Sequence, residues 1–113
     1  MDLIAGLPGQ TFGGYLAGIG DLLAAGVDGF SLYELLIYPQ NRRWAESHGL
    51  VDRDHLPNAL MFAAGASLLE TQGYKKNLFN HWANARDANI YFTFPQRGED
   101  LLAVGTIADG VFG

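Results

Sequence analysis

The chain has 113 residues, no cysteine and a net charge of −5, a length that suits one compact domain and is too short for a complete barrel enzyme. Apolar residues make up 49% and charged residues 17% of the sequence, which indicates a folded globular chain rather than a disordered one. The acidic balance gives no basic surface for nucleic acid, and the lack of cysteine excludes disulfides and thiolate-held zinc or iron–sulfur groups within this chain.

No targeting or membrane segment stands out in the sequence. The start has no charged stretch followed by an apolar core, as a signal peptide would. No apolar run reaches the roughly 18–20 residues that a membrane helix needs. We therefore expect a cytoplasmic protein without a membrane span.

The first third of the chain has the pattern of a strand, a helix and a second strand. Residues 2–11 form a short apolar run that ends in a Gly-Pro-Gly turn. Apolar residues at spacings of three and four predict a helix over residues 12–25, with Thr11 as N-cap and Gly26 just after its end. The near-continuous apolar run at 27–38 predicts a strand that is covered on both faces.

A strand, a helix and a strand in about forty residues indicate a βαβ unit of the α/β class, with the two strands parallel and the helix outside. Two such strands do not make a sheet with both edges covered. We therefore expect the opening strand to need a neighbour that is encoded before it.

The remaining pattern is more broken. Polar residues and a short helix-like stretch predict a linker before a second helix over 57–72, which Gly73 ends. A strand is possible at 74–79, residues 89–94 fit a strand or a helix, and an apolar strand is expected within 100–110. The residues expected on one core-facing side of the second helix are Leu60, Met61, Ala64, Leu68 and Leu69.

The ordered string Asp-Leu-Ile-Ala-Gly-Leu-Pro-Gly-Gln-Thr at residues 2–11 resembles a barrel strand of the radical S-adenosylmethionine (SAM) enzymes of the oxygen-independent coproporphyrinogen III oxidase group. The segments at 29–35, 73–74 and 100–105 are similar to later parts of the same group. This resemblance implies the terminal βαβ portion of an incomplete, partial TIM-type barrel at residues 1–45. It implies a linker and a small α+β cap at residues 46–113.

Residues 80–91, Asn-His-Trp-Ala-Asn-Ala-Arg-Asp-Ala-Asn-Ile-Tyr, are most similar to the haem-utilisation radical SAM methyltransferases of the anaerobilin synthase type. The resemblance implies haem ring opening with methyl transfer under anaerobic conditions. Two alternatives stay open: a decarboxylating oxidase like coproporphyrinogen III oxidase, and a stand-alone, non-catalytic haem- or porphyrin-binding module.

The resemblance also implies a set of SAM-binding residues. Asp2 matches a carboxylate that contacts a second SAM molecule, and Gly6 belongs to the turn after the strand. Leu36 matches a position that touches SAM through its backbone while its side chain serves the core. Near the carboxy end, Ile107 would pack on an adenine ring and Asp109 would meet a polar edge. The plain alternatives are a solvated carboxylate at position 2 and a turn that needs glycine for steric reasons.

His81 and Trp82 are the candidate substrate contacts. A histidine is a ligand for haem iron, and the face of a tryptophan stacks on a flat macrocycle. The plain alternative for His81 is an ordinary hydrogen bond. Arg86 has the forked guanidinium that pairs with a haem propionate, although neighbouring Asp87 offers a simpler ion pair. Two further histidines are expected at the surface of the linker: His48 and His55.

The implied cofactors are SAM and a [4Fe–4S] cluster in a parent enzyme, because the Cys-x3-Cys-x2-Cys string of the group is missing here. We therefore expect this piece alone to be inactive. Its expected partners are the haem or porphyrin substrate, the missing amino-terminal part of the same barrel and an electron donor protein.

Overall fold

The computed structural model describes residues 1–102 and Val104, and for Tyr91 and Phe92 only the backbone. Four helices and four strands lie within these residues. In chain order they are β1 (Asp2–Ala5), α1 (Phe12–Ala24), β2 (Gly29–Glu34), α2 (Arg42–Ser47), α3 (Leu56–Thr71), β3 (Lys75–Lys76), β4 (His81–Ala83) and α4 (Ile90–Gln96).

The predicted βαβ unit is confirmed. Strands β1 and β2 pair in parallel, with Leu3 opposite Leu32, and α1 connects them. The Thr11 hydroxyl accepts a hydrogen bond from the Gly14 amide at 3.0 Å, as an N-cap does. Gly26 follows the helix at φ +85°, the left-handed conformation that favours glycine.

The sheet has the order β1-β2-β4-β3, and β4 runs antiparallel to both β2 and β3. The second edge of β2 is therefore taken by an antiparallel strand from later in the chain. Among the described residues, no strand pairs with the outer edge of β1. The sheet is mixed, and it joins elements from both parts of the predicted division at residue 45.

Strand β2 is shorter than the predicted run of 27–38, because two things stop it. Its parallel partner ends at Ala5, whose carbonyl accepts the last bond from the Leu35 amide. The side chain of Asn41 then holds the following segment in a turn, since it accepts from the Tyr38 amide and donates to the Leu36 carbonyl. Apolar composition alone did not show where the ladder ends.

The core lies between one face of the sheet and helices α1 and α3. Its fully buried large side chains are Phe30, Ile19, Leu32 and Leu69. The two helices approach closely at Gly65, where an added Cβ would lie 3.0 Å from atoms of Tyr15 and Ile19. The absence of a side chain at this position therefore permits the packing of the helix layer.

The opposite face of the sheet is exposed at the carboxyl ends of β1 and β2. Because side chains alternate along a strand, Ser31 and Tyr33 point away from the helices that cover Phe30 and Leu32. On that face Ile4 is 40% and Tyr33 is 42% exposed, and the two are paired across β1 and β2. The prediction that β2 is covered on both faces is therefore wrong at its carboxyl end.

The later elements agree in part with the sequence. Helix α3 begins and ends one residue before the predicted 57–72. Strand and helix were both open for residues 89–94, and of these residues 90–94 are helical in α4. The predicted strand at 74–79 has only two residues in the sheet, Lys75 and Lys76. Within the described part of the chain, no helix combines the length and the apolar character that crossing a membrane requires.

Candidate functional site

The structure divides the predicted site residues between the two ends of the parallel strands. Gly6 follows β1 and Leu36 follows β2, so both lie at the carboxyl ends. His81 and Arg86 line a cavity at the opposite end together with Met1 and Gly29. At about 3.3 Å per residue, the length of β2 separates the two ends by roughly 20 Å.

At the carboxyl end of β1, Gly6 is held tightly by the protein itself. Its amide donates to the Gln10 Oε1 at 2.6 Å and its carbonyl accepts from the Arg53 Nη2 at 2.6 Å. Its φ is +103°, and an added Cβ would lie 2.6 Å from the Asn58 Nδ2. The steric reason for glycine is therefore present, and the SAM contact of Gly6 stays a prediction.

Leu36 lies at the wall of a cavity of about 280 Å³ at the carboxyl end of β2. Its side chain is 57% exposed, so the expectation that this side chain serves the core is wrong. Its carbonyl accepts from the Asn41 Nδ2 at 2.9 Å. The other residues that line this cavity are Glu34, Leu35, Ile37 and His55.

His81 joins two side chains, Ser31 and Asp87, at the amino end of the sheet. Its Nε2 lies 2.6 Å from the Asp87 Oδ2 and its Nδ1 lies 2.8 Å from the Ser31 Oγ. Because an ionised carboxylate only accepts, the neutral ring carries its proton on Nε2 and accepts the Ser31 hydroxyl on Nδ1. Both ring nitrogens are occupied, which leaves neither free for a metal in this arrangement.

There is little space between Gly29 and the hydrogen-bonded side chains of Ser31, His81 and Asp87. A Cβ on Gly29 would lie 1.8 Å from the Asp87 Oδ2 and 2.8 Å from the His81 Nε2. The adjoining cavity is open and has a volume of about 430 Å³. It lies at the amino ends of the strands, which in parallel barrels serve stability rather than catalysis.

Trp82 belongs to the core. It is 2% exposed, its ring meets Phe62 edge-on at 5.9 Å, and its Nε1 donates to the Glu70 Oε1 at 3.0 Å. The Lys76 Nζ lies 5.4 Å from the ring centroid. These contacts give Trp82 a packing role, and its stacking on a macrocycle stays a prediction.

Arg86 forms an ion pair with Asp28, not with its neighbour Asp87. The Arg86 Nη2 and Nε lie 2.8 and 3.0 Å from the Asp28 Oδ1. The side-chain amide of Asn84 donates a hydrogen bond to the Asp28 carboxylate. This bond, together with the hydrogen bond and the charge of Arg86, lowers the pKa of Asp28 despite the opposing effect of burial. The guanidinium is thus already paired, and a propionate contact stays a prediction.

The structure says less about the other three predicted cofactor-binding residues. Asp2 is exposed and lies opposite Ser31 in the parallel ladder, hence at the same end of the sheet as His81. Ile107 and Asp109 lie outside the described residues. The SAM contacts of all three stay predictions.

Sequence reasoning missed the residues that helix α3 brings to the carboxyl ends of the strands. Asn58 at its start lies beside Gly6, whereas Tyr74 just after its end donates to the Val27 carbonyl before β2. The helix thus runs antiparallel to the strands, and the residues before it, His55 among them, lie at the carboxyl ends. The predicted start of this helix could have located these residues, since a helix that packs antiparallel to the strands begins near their carboxyl ends.

The residues present do not fit an iron–sulfur cluster. The chain has no cysteine, and no group of three His, Asp or Glu side chains in the described part could hold a metal ion. Any such cluster would need ligands from other polypeptide segments.

The sequence matches no family model and no curated protein. Among solved structures, the chain is similar to coproporphyrinogen III oxidase (HemN) from Escherichia coli, a radical SAM enzyme, with a TM-score of 0.66 at 20% sequence identity. The match covers 99% of this chain and 29% of that chain, so the chain spans less than a third of the length of this neighbour. The sheet and helices therefore have the fold of a segment of that radical SAM enzyme.

Proposed function

We propose that the chain is the carboxy-terminal part of a radical SAM enzyme that acts on haem or a related porphyrin without oxygen. The observation that carries this proposal is the similarity of nearly the whole chain to a segment of HemN at a TM-score of 0.66. The parallel β1-α1-β2 unit and the open sheet face beside Ile4 and Tyr33 support it, because a barrel interior would cover that face.

In this proposal SAM lies along the carboxyl ends of the strands and their open face. The turn after Gly6 and the backbone around Leu36 would border it. The Asp2 carboxylate, at the amino end of β1, would accept hydrogen bonds from polar groups of a second SAM molecule. Ile107 and Asp109 would complete the contacts. The chain binds and orients the cofactor, while the cluster that reduces it belongs to the amino-terminal part of the same barrel.

The proposed reaction is haem ring opening with methyl transfer, with an electron donor protein as a further partner. The similarity of residues 80–91 to the haem-utilisation methyltransferases supports this choice. The resemblance would make His81, Trp82 and Arg86 substrate contacts, but their hydrogen bonds and burial favour a structural role at the amino end. The substrate would then meet SAM at the carboxyl ends.

A second candidate is a decarboxylating oxidase, and one observation favours it: the structural neighbour is a coproporphyrinogen III oxidase. The two reactions differ in their products, since one adds a methyl group to an opened ring and the other removes carboxyl groups as CO₂. A stand-alone porphyrin-binding module is the third candidate, and it would bind a porphyrin without consuming SAM.

The test uses a protein that contains this chain together with the sequence encoded before it. After anaerobic reconstitution with iron and sulfide, we expect reductive cleavage of SAM to 5′-deoxyadenosine. With haem added, we expect a product that has gained a methyl group, by mass spectrometry. The 113-residue chain alone is the control, and we expect it to leave SAM intact.

Three results would change the conclusion. Loss of CO₂ from coproporphyrinogen with no change to haem would replace the methyltransferase by the oxidase. Porphyrin binding without any SAM cleavage would support the binding module. A longer protein that neither cleaves SAM nor binds a porphyrin would refute the proposal.

A further inference from the structure

Two polar side chains meet at Gly6, just past the carboxyl end of β1. An added Cβ at Gly6 would lie 2.6 Å from the Asn58 Nδ2 and 3.0 Å from the Arg53 Nη2. A side-chain amide and a guanidinium, both hydrogen-bond donors, therefore come together at one point. This point lies at the end of the sheet at which parallel barrels hold their ligands.

Arg53 is a half-buried cation without an anion. Its Nη2 donates to the Gly6 carbonyl at 2.6 Å, its Nε is buried without a partner, and among residues 1–102 it forms no ion pair. The other arginines are all exposed to water: Arg42, Arg43, Arg86 and Arg97. Because a charge that is partly removed from water is costly unless it is paired, an anion beside Arg53 would stabilise it.

Asn58 gives a second and independent observation. Its side chain is 4% exposed, and in the described part of the chain it has no hydrogen-bond partner. The other buried polar side chain there, that of Ser31, is bonded to His81. A buried amide without a partner indicates a group that these residues do not supply themselves, such as a bound ligand.

The charges around Arg53 limit the kind of anion. Asp52 and Asp54 flank it in sequence, and the Asp54 Oδ1 accepts from the Leu56 amide at 2.9 Å instead of pairing with Arg53. Glu34 lies opposite Ala5, the residue before Gly6, in the parallel ladder. These carboxylates disfavour a polyanion such as a diphosphate, whereas a single carboxylate matches the fork of the guanidinium.

We infer that Arg53 and Asn58 bind a carboxylate group of a ligand at the carboxyl end of β1. The inference rests on the proposed function for the two sources of this group, the amino-acid part of SAM and the carboxyl groups of a porphyrin. With either source, the Arg53 guanidinium holds the carboxylate and the Asn58 Nδ2 donates a further hydrogen bond. The bond from Arg53 to the Gly6 carbonyl fixes the guanidinium beside the turn.

The test is an NMR titration of the 113-residue chain with ligands that differ in their carboxyl groups. S-adenosylhomocysteine carries the amino-acid carboxylate and 5′-methylthioadenosine lacks it. Coproporphyrin III carries free carboxyl groups and its methyl ester does not. We expect at least one acid to shift the Arg53 Nε–H and Asn58 side-chain amide resonances, and neither neutral analogue to do so. The acid that shifts them identifies the source of the carboxylate.

Substitutions then test the two residues. Arg53→Gln should weaken binding of the acid at least about tenfold, because a hydrogen bond to a charged group is lost. Arg53→Lys should recover part of the affinity, since it keeps the charge without the fork. Arg43→Gln removes an exposed charge and is the matched control, which should bind as the wild type does. Far-UV circular dichroism checks the folding of each variant.

The inference is overturned if neither acid shifts these resonances or if the neutral analogues shift them equally. It is also overturned if folded Arg53→Gln binds the acid as tightly as the wild type, or if Arg43→Gln weakens binding as much. The comparison of acids with neutral analogues needs only the wild-type chain, so it decides even where a variant does not fold. The outcome is separable from that of the proposed function: SAM cleavage in a longer protein can occur without a carboxylate at Arg53, and carboxylate binding can hold in a protein that never cleaves SAM.

Discussion

The substitution Gly29→Ala tests the hydrogen bonds that join Ser31, His81 and Asp87 at the amino end of the sheet. The new Cβ would lie 1.8 Å from the Asp87 Oδ2 and 2.8 Å from the His81 Nε2, closer than any non-bonded carbon sits. Gly29 does not have a positive φ, so alanine fits the backbone and the clash alone drives the effect. Asp87 must move, and its bond to His81 must break.

The expected cost has two sources. Forcing a methyl group into a filled site costs about 1–3 kcal/mol, and losing a hydrogen bond to a charged group costs about 1.5–3 kcal/mol. Because both follow from one displacement of Asp87, they are not additive, and we expect Gly29→Ala to lower the free energy of unfolding by about 2–4 kcal/mol.

Urea unfolding followed by circular dichroism measures this change. Gly20→Ala in α1 is the matched control, since nothing lies within 4 Å of its added Cβ, and alanine should raise stability there by about 0.5–1 kcal/mol. In an Asp87→Ala background the cost of Gly29→Ala should fall sharply. A Gly29→Ala chain as stable as the wild type, or an equal cost in both backgrounds, would refute the geometry.

Three further predictions concern the ends of the elements. Gly6→Ala should destabilise the chain by about 1–3 kcal/mol more than Gly9→Ala in urea unfolding, because both have a positive φ but only the first adds a clash; equal costs would contradict this. Thr11→Ala should cost about 0.5–2 kcal/mol and Thr11→Ser much less, since serine keeps the cap; an equal loss in both would contradict the cap. In NMR titration the Asp28 pKa should lie below its usual value and rise in Asn84→Ala. Because the pKa of Asp28 is lower in the folded than in the unfolded protein, its carboxylate stabilises the fold fully at pH values above its unfolded pKa of about 3.9. This stabilisation is lost as the pH falls through the folded pKa. An Asp28 pKa that is unchanged in Asn84→Ala would contradict the role of the Asn84 hydrogen bond.

The first part of the fold could be predicted because neighbours in sequence determine it. The cap at Thr11, the stop at Gly26 and the apolar spacing of α1 all act within one or two helical turns. The parallel pairing of β1 and β2 then follows from the helix between them. These features needed no knowledge of distant residues.

Helix α3 shows where local pattern fails. Its extent was predicted almost correctly, but Leu60, expected on the core face, is 53% exposed, whereas Gly65 and Asn58 are buried. A helix that is apolar on most sides does not show by periodicity which side is inward. The close approach of Tyr15 and Ile19 at Gly65 decides it.

The described site residues that the sequence predicted lie at two opposite ends of the parallel strands. The sequence indicates a histidine, a tryptophan and an arginine at 81, 82 and 86 but not which neighbours use up their polar groups. Ser31 and Asp28, each about fifty residues or more away, provide the partners of His81 and Arg86. His55 was predicted at the surface and is exposed, but nothing local relates it to the end of β2.

The sequence by itself determined the βαβ unit, its caps and turns, and the lack of cluster ligands, because these depend on residue type and short spacing. Only the tertiary structure decided that β4 fills the second edge of β2, which side of α3 is buried, and that both ring nitrogens of His81 are bonded within the protein. These depend on contacts between residues far apart in the chain, where the same side chain serves the core or a ligand according to what packs beside it.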